Sequence, residues 1–410
     1  MSLRSALSIV IVVIGAIAAQ PGLILLGLLS LAVDGLSRLW SRRGLREVSY
    51  TRTLAVDRAV WGDRVPLDIT IENGKLLPLA WLEARDFVTD GTFVEERRIE
   101  TSDRPGYGVL RNFWTLGPFE SVVRHFHVVA EHRGVSRFQS VVLSVADLFG
   151  RDVATREDRR PASLLVRPRT VPVRSGAAQL APFGSRAARQ GLIEDPALLA
   201  GVRPFQQGDP LRRVHQRATA RVGHPVSKRF EPSTARQALI ALDIQTHDGP
   251  HWLLSYDEDL VEGLIVAVVS IARRLIADGA ACGVAANGWT YSRATFGFLA
   301  PRAGRDQLPR IADLLGRLSP TPSVPFSWLL SNLPSRLPAG SLVLTISSRD
   351  MVPFAPSLRR LRNSAFEVRH VGLGPLAPAS VAHARQLGIH AVIARLEPNW
   401  KSTDALTLAS

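Results

Sequence analysis

The sequence contains one cysteine, Cys282. No intramolecular disulfide and no cysteine-based metal site can be built from it. It lies in the apolar run 280–286 and reads as a small buried hydrophobe. Lysine is scarce as well. Of 50 basic residues only Lys75, Lys228 and Lys401 are lysine, and the rest are arginine. Catalytic signatures are missing too. There is no G-x-S-x-G elbow to anchor Ser–His–Asp hydrolysis. There is no G-x-x-x-x-G-K-[ST] phosphate loop and no H-E-x-x-H zinc pair. The glycines of 283–288 carry no dinucleotide fingerprint.

What is present begins with bulk properties. Apolar residues make up 46% of the 410 residues and charged residues 21%. That much apolar character excludes an intrinsically disordered chain. A polytopic transporter is excluded because apolar runs do not fill the length. The net charge is +14, which calls for an anionic neighbour: nucleic acid, an anionic membrane surface or an acidic protein. Nucleic-acid binding would rest on this charge alone, since no reading motif accompanies it, and it is not expected.

Residues 6–33 are almost wholly apolar, with Gln20-Pro21-Gly22 in the middle. A single helix of this length would span about 42 Å, more than the ~30 Å hydrocarbon core of a bilayer. The central turn chemistry predicts instead a transmembrane helical hairpin, with spans near 5–19 and 22–38, as a membrane anchor over 1–45. Arg4 before it and Arg38, Arg42, Arg43 and Arg46 after it place both ends, and the bulk of the chain, in the cytoplasm. The arginine cluster would then lie on anionic lipid.

Over 46–172 the period changes to two. Val65, Leu67, Ile69 and Ile71 alternate with polar residues before Asn73-Gly74, a turn pair. Further strand candidates lie at 50–56, 81–87, 108–116, 122–130 and 141–145. Short strands with turn signals predict an antiparallel β-sandwich. Phe113, Trp114, Phe119 and Phe126 read as its core. His125 and His127 share a strand face at i, i+2; a shared metal is one reading, ordinary strand residues the more frequent one.

Residues 173–237 read as a linker followed by an arginine-rich segment. From 238 to 410 continuous apolar strands (238–242, 280–286, 342–346, 368–373, 390–394) alternate with helices near 257–278, 303–318, 326–337, 356–362 and 380–387. This is the pattern of a doubly wound α/β domain with a parallel sheet. Its ligands would sit at the carboxyl ends of the strands. Two loops follow such ends: 243–249, and Ser347-Ser348-Arg349-Asp350.

Three segments resemble the DUF58 family: 52–86, 132–150 leading to 164–169, and above all Arg203-Pro204-Phe205 through Gly208-Asp209-Pro210-Leu211-Arg212-Arg213-Val214-His215-Gln216 to Ala218-Thr219-Ala220-Arg221. Two positions depart from the family pattern. Gln216 stands where tryptophan is usual, and Leu148 where Asp-Pro-Phe-Gly is usual. The resemblance implies an N-terminal hairpin, a β-sandwich, a von Willebrand factor A-like domain and partnership with a MoxR-type AAA+ ATPase. The metal site of A-type domains needs Asp-x-Ser-x-Ser, hard oxygens suited to Mg²⁺. Here those positions are Asp243, Gln245 and His247, a degenerate set that predicts no bound cofactor. Asp248 and Asp350 offer further carboxylates, but no spacing rule supports them.

The run 203–221 gathers Arg203, Arg212, Arg213, Arg217 and Arg221 around Asp209, with Gly208 in a turn and Asp209 as N-cap of a helix from Leu211. It reads as a docking surface for an acidic partner or as internal ion pairs. The functional expectation is a non-enzymatic membrane-anchored scaffold or adaptor for envelope or secreted complexes. The alternative is a metal-dependent, adhesion-type ligand binder using Mg²⁺ at Asp243.

Overall fold

A computed structural model describes residues 3–146, 153–175, 194–206, 213–232, 237–253, 255–290, 295–396 and 400–409. The chain divides into two compact units, Met1–Arg167 and Pro168–Ser410.

The first unit opens with helix α1 (Leu3–Ile17) and helix α2 (Pro21–Arg43). Gln20 is extended and Pro21 starts α2, where its missing N–H costs nothing. The two helices pack antiparallel. A Cβ on Gly27 would lie 2.5 Å from Val12, so glycine permits the approach. Ser8 and Ser30 hydroxyls meet at 2.8 Å across the pair.

This hairpin corrects the expectation of a transmembrane anchor. Among the described residues no helix is long and apolar enough to cross a membrane. The cause is visible in the sequence pattern. The turn at Gln20-Pro21 splits the apolar run, leaving α1 with 15 residues, about 22 Å of helix. The 23 residues of α2 include Asp34, Arg38, Arg42 and Arg43 in their second half. The membrane localisation, the cytoplasmic placement and the lipid role of Arg38–Arg46 lose their basis with it. Arg43 and Arg46 are exposed; the side chains of Arg4, Arg38 and Arg42 lie outside the described ones. The end of the hairpin serves the fold instead, since Trp40 and Leu45 are buried in the adjoining β core.

That core lies between two sheets made from ten strands: β1 (Val48–Leu54), β2 (Arg58–Val60), β3 (Arg64–Asn73), β4 (Leu79–Thr89), β5 (Phe93–Val94), β6 (Glu100–Thr101), β7 (Tyr107–Leu116), β8 (Ser121–Val129), β9 (Gly134–Ala146) and β10 (Val153–Arg167). One sheet has the order β1-β3-β8-β5 and the other β2-β10-β9-β4-β7-β6. Pairing is antiparallel except between β2 and β10. Val65, Leu67, Ile69 and Ile71 of β3 all point inward, and Tyr50, Trp114, Phe126 and Phe138 join them. Phe113 and Phe119 do not belong to the core: they are 46% and 68% exposed. Phe113 neighbours the buried Trp114 on one strand, so the pleat turns it outward. Phe119 sits in a turn with φ 54°. Within the first unit Arg52 and Asp86 form a buried ion pair, and Tyr50 donates to the same carboxylate at 2.7 Å.

The second unit is built on an eight-stranded sheet. In chain order its elements are β11 (Val173–Ser175), β12 (Glu194–Pro204), α3 (Gln216–Val222), β13 (Val226–Pro232), β14 (Gln237–Leu242), α4 (Glu258–Ala277), β15 (Ala281–Ala286), β16 (Gly288–Thr290), β17 (Gly297–Arg302), α5 (Gln307–Gly316), β18 (Leu318–Pro322), α6 (Phe326–Ser331), β19 (Leu342–Ser347), α7 (Ala355–Asn363), β20 (Glu367–Leu373), α8 (Ala377–Gln386), β21 (His390–Leu396) and β22 (Leu406–Ala409). The large sheet runs β11-β22-β21-β20-β19-β14-β15-β17. Strands β15, β14, β19, β20 and β21 are parallel neighbours. Antiparallel β17 and β22 flank them.

Leu239 and Ala241 face a core shared with α6, α7 and α8. Ile240 and Leu242, equally buried, point to the other face. Burial on both faces explains why β14 is continuously apolar. Helix α4 starts where Asp257 accepts the Leu260 N–H at 3.0 Å, as an N-cap should.

Candidate functional site

The parallel strands bring their carboxyl ends to one rim. Three neighbouring strands supply the residues there. Asp243 follows β14, Asn287 follows β15, and Ser347 ends β19 with Arg349 two residues later. The Asp243 N–H still pairs with the Ile346 carbonyl at 2.9 Å, so the carboxylate is held by continuing sheet geometry.

Five donors converge on the Asp243 carboxylate. Oδ2 accepts Arg349 Nε at 3.0 Å and Nη2 at 2.7 Å, and the Ser347 hydroxyl at 3.0 Å. Oδ1 accepts Asn287 Nδ2 at 2.9 Å and the Gln245 N–H at 3.4 Å. Asn287 in turn accepts the Ile244 N–H at 2.8 Å, which fixes its amide. Asp243 is fully buried and Arg349 is 7% exposed.

The other two residues of the degenerate metal set point elsewhere. Gln245 donates Nε2 to the carbonyls of His247 and Gly249, at 3.0 and 2.8 Å, and so closes the loop on itself. Both ring nitrogens of His247 are buried without a hydrogen-bond partner among the described residues. Asp248 is exposed. Asp350 pairs with His383 at 2.9 Å. The donor set therefore does not fit a divalent cation: the carboxylate is already saturated, and a guanidinium occupies its approach. Arg349 also borders a cleft of about 230 Å³ with Gly249, Pro250, His251, Phe326 and Phe354 in its walls.

Local pattern marks the loop containing Arg349 but not that residue's partner, and it does not mark Asn287. The available signal was position. Each lies just past the end of a buried strand, where an α/β sheet gathers its polar groups.

The arginine-rich segment forms a second feature. Strands β12 and β13 pair as an antiparallel hairpin, with Arg203 opposite Ser227 and Pro204 opposite Val226. Helix α3 stands between them in the chain. Its N-cap is His215, whose Nδ1 accepts the Ala218 N–H at 3.1 Å. This helix begins at Gln216; the expected helix start at Leu211, with Asp209 as its N-cap, lies outside the described residues. It ends on Gly223, whose φ of 79° suits glycine. Thr219 ties it to the hairpin by accepting the Val226 N–H at 3.1 Å. Arg217 and Arg221 are exposed one turn apart, and Arg203 and Arg213 are half-buried. Gly208, Asp209 and Arg212, like Leu148 and 176–193, lie outside the described residues.

His125 and His127 do not share a ligand position. His125 pairs with Asp68 at 2.7 Å and His127 with Glu96 at 2.5 Å. Glu95, Glu96 and His127 do cluster. However, Arg64 contacts Glu95 at 3.2 Å, and the His127 backbone also donates to Glu96 at 2.8 Å. Ion pairs and hydrogen bonds already account for the group.

No family model matches the chain. The uncharacterized protein YeaD of Bacillus subtilis (strain 168) is 22% identical over 248 residues, 60% of this chain. The match spans 57% of that relative's length. Among solved structures, the CARDB domain of the Pyrococcus furiosus PF1109 protein covers 29% of this chain and 91% of its own, at 13% identity and TM-score 0.19. The Bacillus subtilis sporulation control protein Spo0M covers 30% of this chain and 50% of its own, at 14% identity and TM-score 0.18. Likenesses at these TM-scores carry no argument about fold or function.

Proposed function

We propose that the chain is a non-enzymatic scaffold or adaptor that binds protein partners, a MoxR-type AAA+ ATPase among them, in the assembly or maturation of envelope or secreted complexes. The observation that carries this reading is the presentation of Arg217 and Arg221. Both are exposed on a short helix that is capped at each end and hydrogen-bonded to a β-hairpin. Two guanidinium groups one turn apart repel each other slightly. That cost is offset when an acidic partner bridges them, and arginine forks suit carboxylates. The ATPase comes from the DUF58 resemblance of this same segment.

The test compares the full chain with Arg217→Glu/Arg221→Glu as bait for the purified MoxR-type ATPase from the same genome. Capture by the parent chain, weakened by the charge reversal and by added salt, supports the proposal. Equal capture by both would place the contact elsewhere. No capture by the parent would remove the ATPase from the proposal.

A further inference from the structure

We infer that Arg349 holds the place on the sheet rim that a divalent cation would need, so that Asp243 is permanently closed to such ions. Three observations converge. First, Asp243 is the carboxylate a cation would require at the end of β14, and five donors from four residues already converge on its two oxygens. A carboxylate offers about four acceptor sites, so none is left. Second, Arg349 arrives from the adjacent strand end and grips Oδ2 through both Nε and Nη2. A cation on that oxygen would have to displace the guanidinium or sit against its positive charge. Third, the neighbouring side chains are tied into other contacts. The Gln245 Nε2 donates to two loop carbonyls, and Asp350 Oδ1 pairs with His383.

The charge count then differs from that of a metal rim. A divalent cation on one carboxylate leaves a net positive charge that attracts an acidic ligand. Arg349 on Asp243 leaves none. The cleft beside them therefore borders a neutral ion pair and has no bridging ion in its wall.

The experiment uses Mn²⁺ as the probe and electron paramagnetic resonance of free Mn²⁺ as the readout, with the full chain. The parent protein and its Asp243→Asn variant should leave the same Mn²⁺ free. Ions taken up elsewhere, for example at Glu95 and Glu96, cancel in this comparison. Arg349→Ala should gain one saturable site, and adding Asp243→Asn to it should abolish that site. Mn²⁺ uptake by the parent that Asp243→Asn removes would overturn the inference. So would a folded Arg349→Ala chain that gains no site. Should Arg349→Ala fail to fold, Arg349→Lys retains a cation at the position. It should take up no more Mn²⁺ than the parent, and an Asp243-dependent gain there would equally overturn the inference.

Discussion

Arg349 and Asp243 are joined by two hydrogen bonds, 3.0 and 2.7 Å long, converging on one carboxylate oxygen, with both side chains buried. Taking one partner away leaves the other charged and without compensation in a dry setting. Arg349→Met should therefore lose about 3–5 kcal/mol of stability. Adding Asp243→Asn should restore most of it, because the stranded charge is gone. Denaturant midpoints for the two single variants and the double variant give the coupling directly. Additive losses would show that the pair is not a unit.

His370 lies at the centre of the large sheet, fully buried, with Thr345 Oγ1 at 3.0 Å from Nδ1 and Ser380 Oγ at 2.8 Å from Nε2. Burial pushes its pKa down to about 4, and Asp350 opposes that only in part. In the unfolded chain the imidazole titrates near 6.5. Between these values the unfolded state takes up the proton first, so stability is fully present above pH 6.5 and falls as the pH drops toward 4. The span corresponds to roughly 3 kcal/mol. Unfolding free energies of the parent and His370→Gln across this window check it. The variant should show a flatter slope, and parallel curves would refute the assignment.

Cys282 is fully buried on β15, and burial pushes its thiol up to about 12. Only the thiolate reacts, and here it is neither formed nor reachable. A thiol reagent should modify the native protein at least about 10³-fold more slowly than the denatured protein, at the rate at which the sheet opens. Fast labelling of the native protein would contradict the burial of β15.

Gly283 is the next residue. A Cβ there would lie 2.5 Å from the Leu299 carbonyl oxygen and 2.5 Å from the Pro301 nitrogen, both backbone atoms of β17. Gly283→Ala should push this edge strand away and cost about 1–3 kcal/mol. Hydrogen exchange should accelerate across 297–302 more than in β14. Unchanged exchange there would mean the strand absorbs the methyl group without moving.

The parts legible in the sequence are those set by local pattern. Alternation at Val65, Leu67, Ile69 and Ile71 marks β3, since side chains on a strand alternate between core and solvent. The unbroken run 238–242 marks β14, and Asp257 ahead of an apolar helical stripe marks the start of α4. Pattern fails where a choice depends on what lies opposite. Nothing local separates Phe113, which is exposed, from the buried Trp114. Nor does high local hydropathy show that α1 is too short and α2 too charged to cross a bilayer. The pairing of β12 with β13 is not legible locally either, because Pro196 and Gly201 interrupt β12 and neither strand alternates apolar with polar residues.

The site divides in the same way. By itself the sequence determined that Asp243 follows a buried strand, with Gln245 and His247 at alternate positions beyond it. Arg349 lies 106 residues from Asp243 in the chain. Only the pairing of β14 with β19 sets their strand ends side by side. Once there, a buried carboxylate needs a positive partner, and the nearest one is covalently attached, so the tertiary structure gives Asp243 an arginine in place of an ion.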